Sequence, residues 1–137
     1  MHSIEIMLFM GECGARFRSR HLHVISDYID KMLEDDRVII ISGNTGVTAV
    51  AFYSMCTLEE CAHLHDEGTW FYKPQNIAGN TFYVDKIISK CWDRNLRMAI
   101  DTFAGTRFPK IEYGAWHRDR KGEDQLIISK RRTHVSN

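Results

Sequence analysis

Apolar residues recur with two different periods along the chain, and the change of period separates a helix from strands. Residues 21–36 carry an apolar stripe from Leu22 to Leu33 at helical spacing, with acidic residues on the opposite side. The runs 37–42 and 47–54 are instead β-branched and apolar, and the glycines between them suit a tight turn. This part of the chain therefore predicts a helix followed by a β-hairpin.

The rest of the chain predicts another helix and several more strands. An apolar run at 4–10 is expected to form a first strand or an apolar lead-in. Gly105 follows the apolar positions of the later helix and is expected to end it. The other predicted elements are a strand at 68–73, a strand at 80–89, a helix at 90–105 with Trp92, Leu96, Ala99, Ile100 and Phe103 facing inward, and a hairpin of 110–118 with 124–132.

The stretch CTLEECAHLHDEG, residues 56–68, admits two interpretations, a zinc site and a capped helix. Its cysteines and histidines lack the two closely spaced ligand pairs of a structural zinc site. Thr57 and Glu60 instead have the spacing of a capping box. We therefore predict a capped helix and no metal, with Cys56 and Cys61 as small core residues.

The predicted order is helix, hairpin, helix, two strands, helix and hairpin. Such an order predicts an α/β (α+β) fold in a single domain, with a mixed, largely antiparallel sheet flanked by helices. We assign residues 1–132 to this domain, and we expect the basic tail at 133–137 to be disordered.

Charge and composition exclude several classes of protein. Eighteen basic and eighteen acidic residues cancel, so no general attraction to nucleic acid is expected. The sequence has no run of apolar residues long enough for a membrane span. Its four cysteines lack paired spacing, which indicates a reducing compartment, and we expect the cytoplasm.

Asp85 is the candidate functional residue of the strand at 80–89. Alternation along the strand places Tyr83, Asp85 and Ile87 on one face, so the carboxylate is expected to have apolar neighbours. Loss of solvation raises the pKa of a carboxylate, and such a group can act as a general base or orient a histidine. The alternative is a structural salt bridge to an arginine, or a cap of a neighbouring loop.

Three histidines are candidates to act with Asp85. His21 and His23 begin the first predicted helix after a run of arginines, whose charge favours a neutral imidazole that can accept a proton. His117, on a predicted strand face, is the third candidate. The alternative for His21 and His23 is that they are exposed residues at a helix end.

The order of elements resembles that of the GNAT acyltransferase superfamily over residues 20–132, in which the central strand and the helix after it form the acyl-donor site. Within that superfamily the chain looks like the RTX-toxin-activating lysine acyltransferases, which move a fatty acyl group from acyl carrier protein to lysines of a protoxin. A central-strand aspartate and a histidine before the first long helix are the functional pair there, which implies Asp85 with His21 or His23. The stretches that carry the resemblance are YIDKMLEDDRVIII, VAFYSMCTLEECAHL, TFYVDKIIS and RFPKIEYGAWHRDRKG.

The helix after the central strand departs from the GNAT pattern at its start. Coenzyme A-dependent members bind a pyrophosphate there with a glycine-rich turn, whereas this chain reads SKCWDRNLRM. The missing glycines indicate either a donor that is not coenzyme A bound in the usual way, such as one that arrives on a carrier protein, or a fold that has lost catalysis. Lys90, Arg94 and Arg97 are then expected to contact a phosphopantetheine or an acidic partner, and no tightly bound cofactor is expected.

Two functions from different classes are therefore expected. The first is an acyltransferase that moves an acyl group from a carrier-protein or coenzyme A thioester to a protein lysine or another amine. Its expected partners are acyl carrier protein or a coenzyme A thioester and a protein acceptor, and a homodimer is an open alternative. The second is a catalytically inactive GNAT-like module, of viral or mobile-element origin, that binds a protein partner.

Overall fold

The computed structural model describes residues 2–15, 21–67, 70–120 and 122–131, and in these ranges the chain forms four helices and five strands. The single-domain α/β (α+β) class predicted from the sequence is confirmed. In chain order the elements are α1 (Ser3–Glu12), α2 (Leu22–Glu34), β1 (Val38–Gly43), β2 (Gly46–Cys56), α3 (Leu58–Glu67), β3 (Thr81–Ser89), α4 (Arg94–Arg107), β4 (Tyr113–Arg120) and β5 (Glu123–Lys130).

The five strands form one sheet in the order β1-β2-β3-β4-β5. Neighbouring strands are antiparallel except β3 and β4, which run parallel. Parallel neighbours require a crossover connection, and α4 provides it. The predicted mixed, largely antiparallel sheet is confirmed, and β3 is its central strand.

Helices cover both faces of the sheet because β2 is apolar on both sides. Residues Ala49, Ala51, Tyr53 and Met55 of β2 join the core that packs beneath α4. The alternate residues face the opposite side, where α1, α2 and α3 pack. They are Val50, Phe52 and Cys56.

The apolar run at 4–10 forms helix α1, so the expected first strand is wrong. Ile6, Phe9 and Met10 are buried, and their spacing is that of one helix face. The apolar run is too short for its sequence alone to distinguish the period of a helix from that of a strand.

Among the residues that the structure describes, no helix has the length and apolar character needed to cross a membrane.

The predicted strand at 68–73 is absent from the described part of that stretch, residues 70–73. Trp70 has a φ of 69°, in the left-handed region that an extended strand excludes. The buried guanidinium of Arg37 holds the segment to the sheet by donating to the carbonyl oxygen of Lys73 at 2.8 Å. Residues 70–73 therefore form an irregular segment that lies across α2 and the sheet, and we call this segment the aromatic strap.

The bounds of α4 correct the predicted helix at 90–105. Asp93 caps the helix by accepting a hydrogen bond from the Leu96 amide at 2.9 Å, so the helix begins at Arg94. Trp92 lies before the cap and is 61% exposed rather than inward-facing. Gly105 does not end the helix, which continues to Arg107.

Within the stretch at 56–68, residues Leu58–Glu67 form the predicted capped helix, α3, and residue 68 lies outside the described residues. The Glu60 amide donates to the Thr57 hydroxyl at 3.2 Å, and the Thr57 amide donates to the Glu60 carboxylate at 3.0 Å. Cys56 and Cys61 are buried. The capping box and the core role of both cysteines are confirmed.

Removing the Thr57 hydroxyl is expected to destabilise the protein by about 1 kcal/mol, because one amide of the first turn loses its acceptor. Urea unfolding of Thr57→Ala and of wild type gives this difference in free energy. Thr57→Ser keeps the hydroxyl and should restore most of it. Equal midpoints for wild type and Thr57→Ala would show that this cap does not stabilise α3.

Candidate functional site

Strands β3 and β4 diverge in the middle of the sheet. They pair only from Thr81 with Tyr113 to Val84 with Trp116. Beyond that pair both strands continue, over residues 85–89 and 117–120, and no described pairing joins them. We call the space between these two segments the β3–β4 wedge, and Asp85 and His117 lie at its apex.

Asp85 also lies at an irregularity in the pairing of β3 with β2. Phe52 pairs with Lys86, and the next residue, Tyr53, pairs with Val84. Asp85 therefore has no partner on β2, as the extra residue of a β-bulge has none. Bulges of this kind redirect side chains, and they are common next to active sites.

The bulge changes which residues share a face of β3. The side chain of Asp85 points toward α2, where the Tyr28 hydroxyl donates a hydrogen bond to its carboxylate. Ile87 instead packs with the core beneath α4, on the other face. The predicted shared face of Asp85 and Ile87 is therefore wrong, because strict alternation fails at an extra residue.

The carboxylate of Asp85 is desolvated, as the sequence predicted. Asp85 is 8% exposed, and burial raises the pKa of its carboxyl above the usual value. The hydrogen bond from Tyr28 and the charges of His117, Arg37 and Lys73 act in the opposite direction without cancelling the effect of burial. Among the described residues no salt bridge joins Asp85, so the alternative of a structural ion pair is not what the structure shows.

Aromatic rings enclose the Tyr28–Asp85 pair on the α2 side. The Tyr28 ring meets Phe52 and Trp70 edge to face, with 5.5 Å between ring centroids in both cases. Burial and the neighbouring Asp85 charge raise the pKa of Tyr28, so its hydroxyl keeps its proton and remains a donor. This environment holds the carboxylate in one orientation.

His117 is the histidine that the structure places beside Asp85. Its Nε2 atom lies 2.7 Å from the backbone carbonyl oxygen of Asp85, across the apex of the wedge. Its Nδ1 atom lies 3.4 Å from the carboxylate of Asp124 on β5, whose other oxygen is 3.7 Å from Nε2 of His65. Both nitrogens of His117 therefore face oxygen acceptors, and the ring is fixed between β3 and β5.

His21 and His23 are exposed at the start of α2. No hydrogen bond or ion pair of the described residues joins either of them to Asp85, and Tyr28 is the α2 residue that reaches the carboxylate. Their assignment as catalytic residues stays a prediction. Tyr28 itself was missed, because its place in an apolar helical stripe reads as a core residue.

The three predicted donor-binding cations lie in two places. Lys90 contacts α1, where its ammonium is 3.4 Å from the Glu12 carboxylate. Arg94 and Arg97 lie on α4, and the guanidinium of Arg97 lies over the Trp116 ring at 5.6 Å. An open depression of 620 Å³ adjoins the start of α4, lined by Trp92, Asp93, Arg94, Arg97, Met98 and Asp101.

The start of α4 is already occupied by a carboxylate. Asp93 accepts the amide of Leu96, so it fills the position at which bare amides would bind a phosphate. Phosphate binding by the helix terminus alone is therefore disfavoured here. Among the described residues, no group of three or more His, Cys, Asp or Glu side chains is arranged to hold a metal ion.

Scans with protein-family models and searches of curated proteins and of solved structures find no match to this chain.

The pH dependence of the free energy of unfolding should reflect the raised pKa of Asp85. A carboxyl whose pKa is higher in the folded than in the unfolded state contributes stability below the unfolded pKa and loses it as pH rises through the folded pKa. The free energy of unfolding of wild type, minus that of Asp85→Asn, should therefore fall as pH rises from the acidic range. Urea titrations of both proteins across this range measure it. A difference that rises with pH would contradict the assigned environment.

Proposed function

We propose that the protein is an acyltransferase that moves an acyl group from a carrier-protein or coenzyme A thioester to a protein lysine or another amine. The observation that carries the proposal is the β3–β4 wedge with Asp85 at its apex, where the carboxylate of that residue is desolvated on the α2 side. The central strand β3 and the helix after it, α4, are the elements that form the acyl-donor site in the GNAT superfamily, which the chain resembles.

The wedge suits the extended arm of an acyl carrier. Residues 86–89 pair with β2 on one edge only, and Asp85 has no partner on β2. Residues 117–120 pair with β5 on one edge only. Their other edges present backbone amide and carbonyl groups to the wedge. A phosphopantetheine arm contains two amide groups, and an extended chain of this kind can pair with a free strand edge.

Asp85 supplies the base that aminolysis of a thioester needs. The amine must lose a proton before or while its nitrogen attacks the thioester carbonyl, and the carboxylate of Asp85 accepts that proton. The new carbon–nitrogen bond forms as the carbon–sulfur bond breaks, and the proton that Asp85 took from the amine passes to the sulfur, so the donor leaves as a thiol and the carboxylate is regenerated. The raised pKa of Asp85 makes it a stronger base than an exposed aspartate.

The start of α4 favours a protein-bound donor over free coenzyme A. With Asp93 capping the helix, the phosphate must be bound by side chains, for which Arg94 and Arg97 are available. The exposed rings and chains of Trp92 and Met98 beside them offer apolar contact to a protein surface. We place the reaction in the cytoplasm, where the four free cysteines stay reduced.

Acylation of an amine acceptor tests the proposal. The protein is incubated with acyl carrier protein thioesters or coenzyme A thioesters of several chain lengths, together with lysine-containing peptides, and the intact masses are measured. We expect an acyl increment on the acceptor, and a faster reaction from the carrier-protein donor. No increment from either donor class would favour the alternative, a catalytically inactive protein-binding module.

His117 is expected to matter more for transfer than His21 or His23. Removing its ring frees the carbonyl of Asp85 at the apex of the wedge, and small displacements of a catalytic group are costly, so His117→Ala should slow transfer roughly ten-fold. His21→Ala and His23→Ala should transfer at the wild-type rate, since both side chains are exposed. Initial rates with saturating donor measure the three variants. A large loss of transfer rate in His21→Ala or His23→Ala, without one in His117→Ala, would instead support the pairing of Asp85 with His21 or His23 that the resemblance implies.

A further inference from the structure

Strand β5 is an outer edge of the sheet. It pairs with β4 on one side, and no described residue pairs with its other side. Its centre is apolar, from Leu126 to Ile128, and Ile128 is 46% exposed. An edge strand of eight residues with an apolar centre is a template for pairing with another strand.

Charge along β5 is arranged with opposite signs at its two ends. The strand begins with Glu123 and Asp124 and ends with Lys130, which Arg131 follows. An antiparallel copy of the same strand reverses this order, so the acidic end of each copy meets the basic end of the other. The sequence of β5 is therefore complementary to itself.

Sheet geometry selects one register for such a pair. Residues directly opposite in antiparallel strands point to the same face, so a two-fold symmetric pairing joins only residues separated by an even number of positions. Centring the axis on Ile127 satisfies this condition and matches residues 124–130 of β5 with one another, while Glu123 meets Arg131, which follows the strand. The opposed pairs are then Glu123 with Arg131, Asp124 with Lys130, Gln125 with Ser129, Leu126 with Ile128, and Ile127 with itself.

Shifting the axis by one residue along the strand sets charged residues against apolar ones. Centred on Leu126, the pairing sets Asp124 against Ile128 of the other copy, and centred on Ile128 it sets Lys130 against Leu126 of the other copy. The second outer edge, β1, has no charged residue between Val38 and Gly43, so charge does not fix a register there. Only the Ile127-centred pairing of β5 satisfies both the charges and the apolar residues.

We propose that β5 is a homodimer interface, in which a second copy of this chain pairs antiparallel across a two-fold axis at Ile127. The two five-stranded sheets join into one continuous sheet. Lys130 of the second copy lies beside Asp124, which is 57% exposed and already faces His117 and His65. The interface therefore adjoins the apex of the wedge without depending on the proposed acyl transfer.

Sedimentation equilibrium of the full chain tests the dimer. At micromolar concentration we expect twice the 16.0 kDa of one chain. Lys130→Glu sets two like-charged pairs in place of two ion pairs, which should weaken association roughly ten- to a hundred-fold. Lys110→Glu makes the same charge change at an exposed residue outside β5 and should leave the dimer intact.

Mixing two variants tests the register. Asp124→Lys should also be monomeric, but a mixture of Asp124→Lys with Lys130→Glu restores both charge pairs and should give a heterodimer, visible by native mass spectrometry. Ile128→Lys, which places a charge against Leu126 of the other copy, should be monomeric and serves if Asp124→Lys fails to fold. A monomeric wild type, a dimer unaffected by Lys130→Glu and by Ile128→Lys, or no heterodimer from two folded variants would each overturn the proposal.

Discussion

Replacing Asp85 by asparagine is expected to lower the rate of acyl transfer roughly 100-fold, since general-base assistance is typically worth 10²- to 10⁴-fold. The protein should remain folded, because Tyr28 can donate to an amide oxygen as it does to the carboxylate. The backbone carbonyl that faces His117 is also unchanged. The thermal midpoint should therefore stay within a few degrees of wild type, and donor affinity should change little, because the lost interaction belongs to the transition state.

The matched control for this substitution is Asp27→Asn. It makes the same chemical change on the exposed side of α2, one residue before Tyr28, and should leave the transfer rate unchanged. Initial rates, donor affinity and thermal midpoints are compared for both variants. An Asp85→Asn protein that unfolds would assign the carboxylate to the fold, and one that transfers at the wild-type rate would remove it from the mechanism.

Replacing Arg37 by alanine is expected to destabilise the protein by about 3–5 kcal/mol, the usual result of breaking a buried charged network. Its guanidinium is almost fully buried and donates to the carbonyl oxygens of Tyr53 at 3.0 Å and Lys73 at 2.8 Å, and to the Ser54 hydroxyl. Alanine leaves these acceptors without a donor and leaves a cavity beneath the strap. Urea unfolding measures the loss.

Arg107→Ala is the control for Arg37→Ala. Arg107 also forms an ion pair, at 2.8 Å with Asp36, but its side chain is 40% exposed. Solvent screens such a pair, so its removal should cost about 1 kcal/mol or less. Similar losses in the free energy of unfolding for the two variants would contradict the expectation that the buried guanidinium of Arg37 stabilises the protein more than the exposed one of Arg107.

The sequence correctly predicted the elements in which the apolar pattern extends over many residues. Helix α2, the two hairpins and β3 lie close to their predicted positions, because α2 buries one helical face and the strand runs are bounded by turn residues. The aromatic strap at 70–73 reads as a strand, yet Trp70 adopts a left-handed conformation there. What holds the strap is a tertiary contact, the hydrogen bond from Arg37 to the Lys73 carbonyl, and local sequence does not encode it.

The candidate site was predictable in part. Asp85 could be found because a carboxylate in an apolar strand must be desolvated or paired, and this holds wherever the strand lies. Its neighbours could not be found, because the bulge moves Asp85 against Tyr28 and the parallel pairing of β3 with β4 brings His117 to it. Both effects depend on register, and register is fixed by pairing between strands distant in sequence.

The central claim is that an acyl donor binds in the β3–β4 wedge, and the measurement that tests it most directly is amide chemical-shift mapping. The ligand is an acyl carrier protein whose acyl-pantetheine arm has an amide in place of the thioester, so that no transfer occurs. We predict the largest shifts at residues 85–89 and 117–120, with further shifts at Arg94 and Arg97. Shifts confined to other parts of the chain, or none at a saturating concentration of the carrier, would contradict the account.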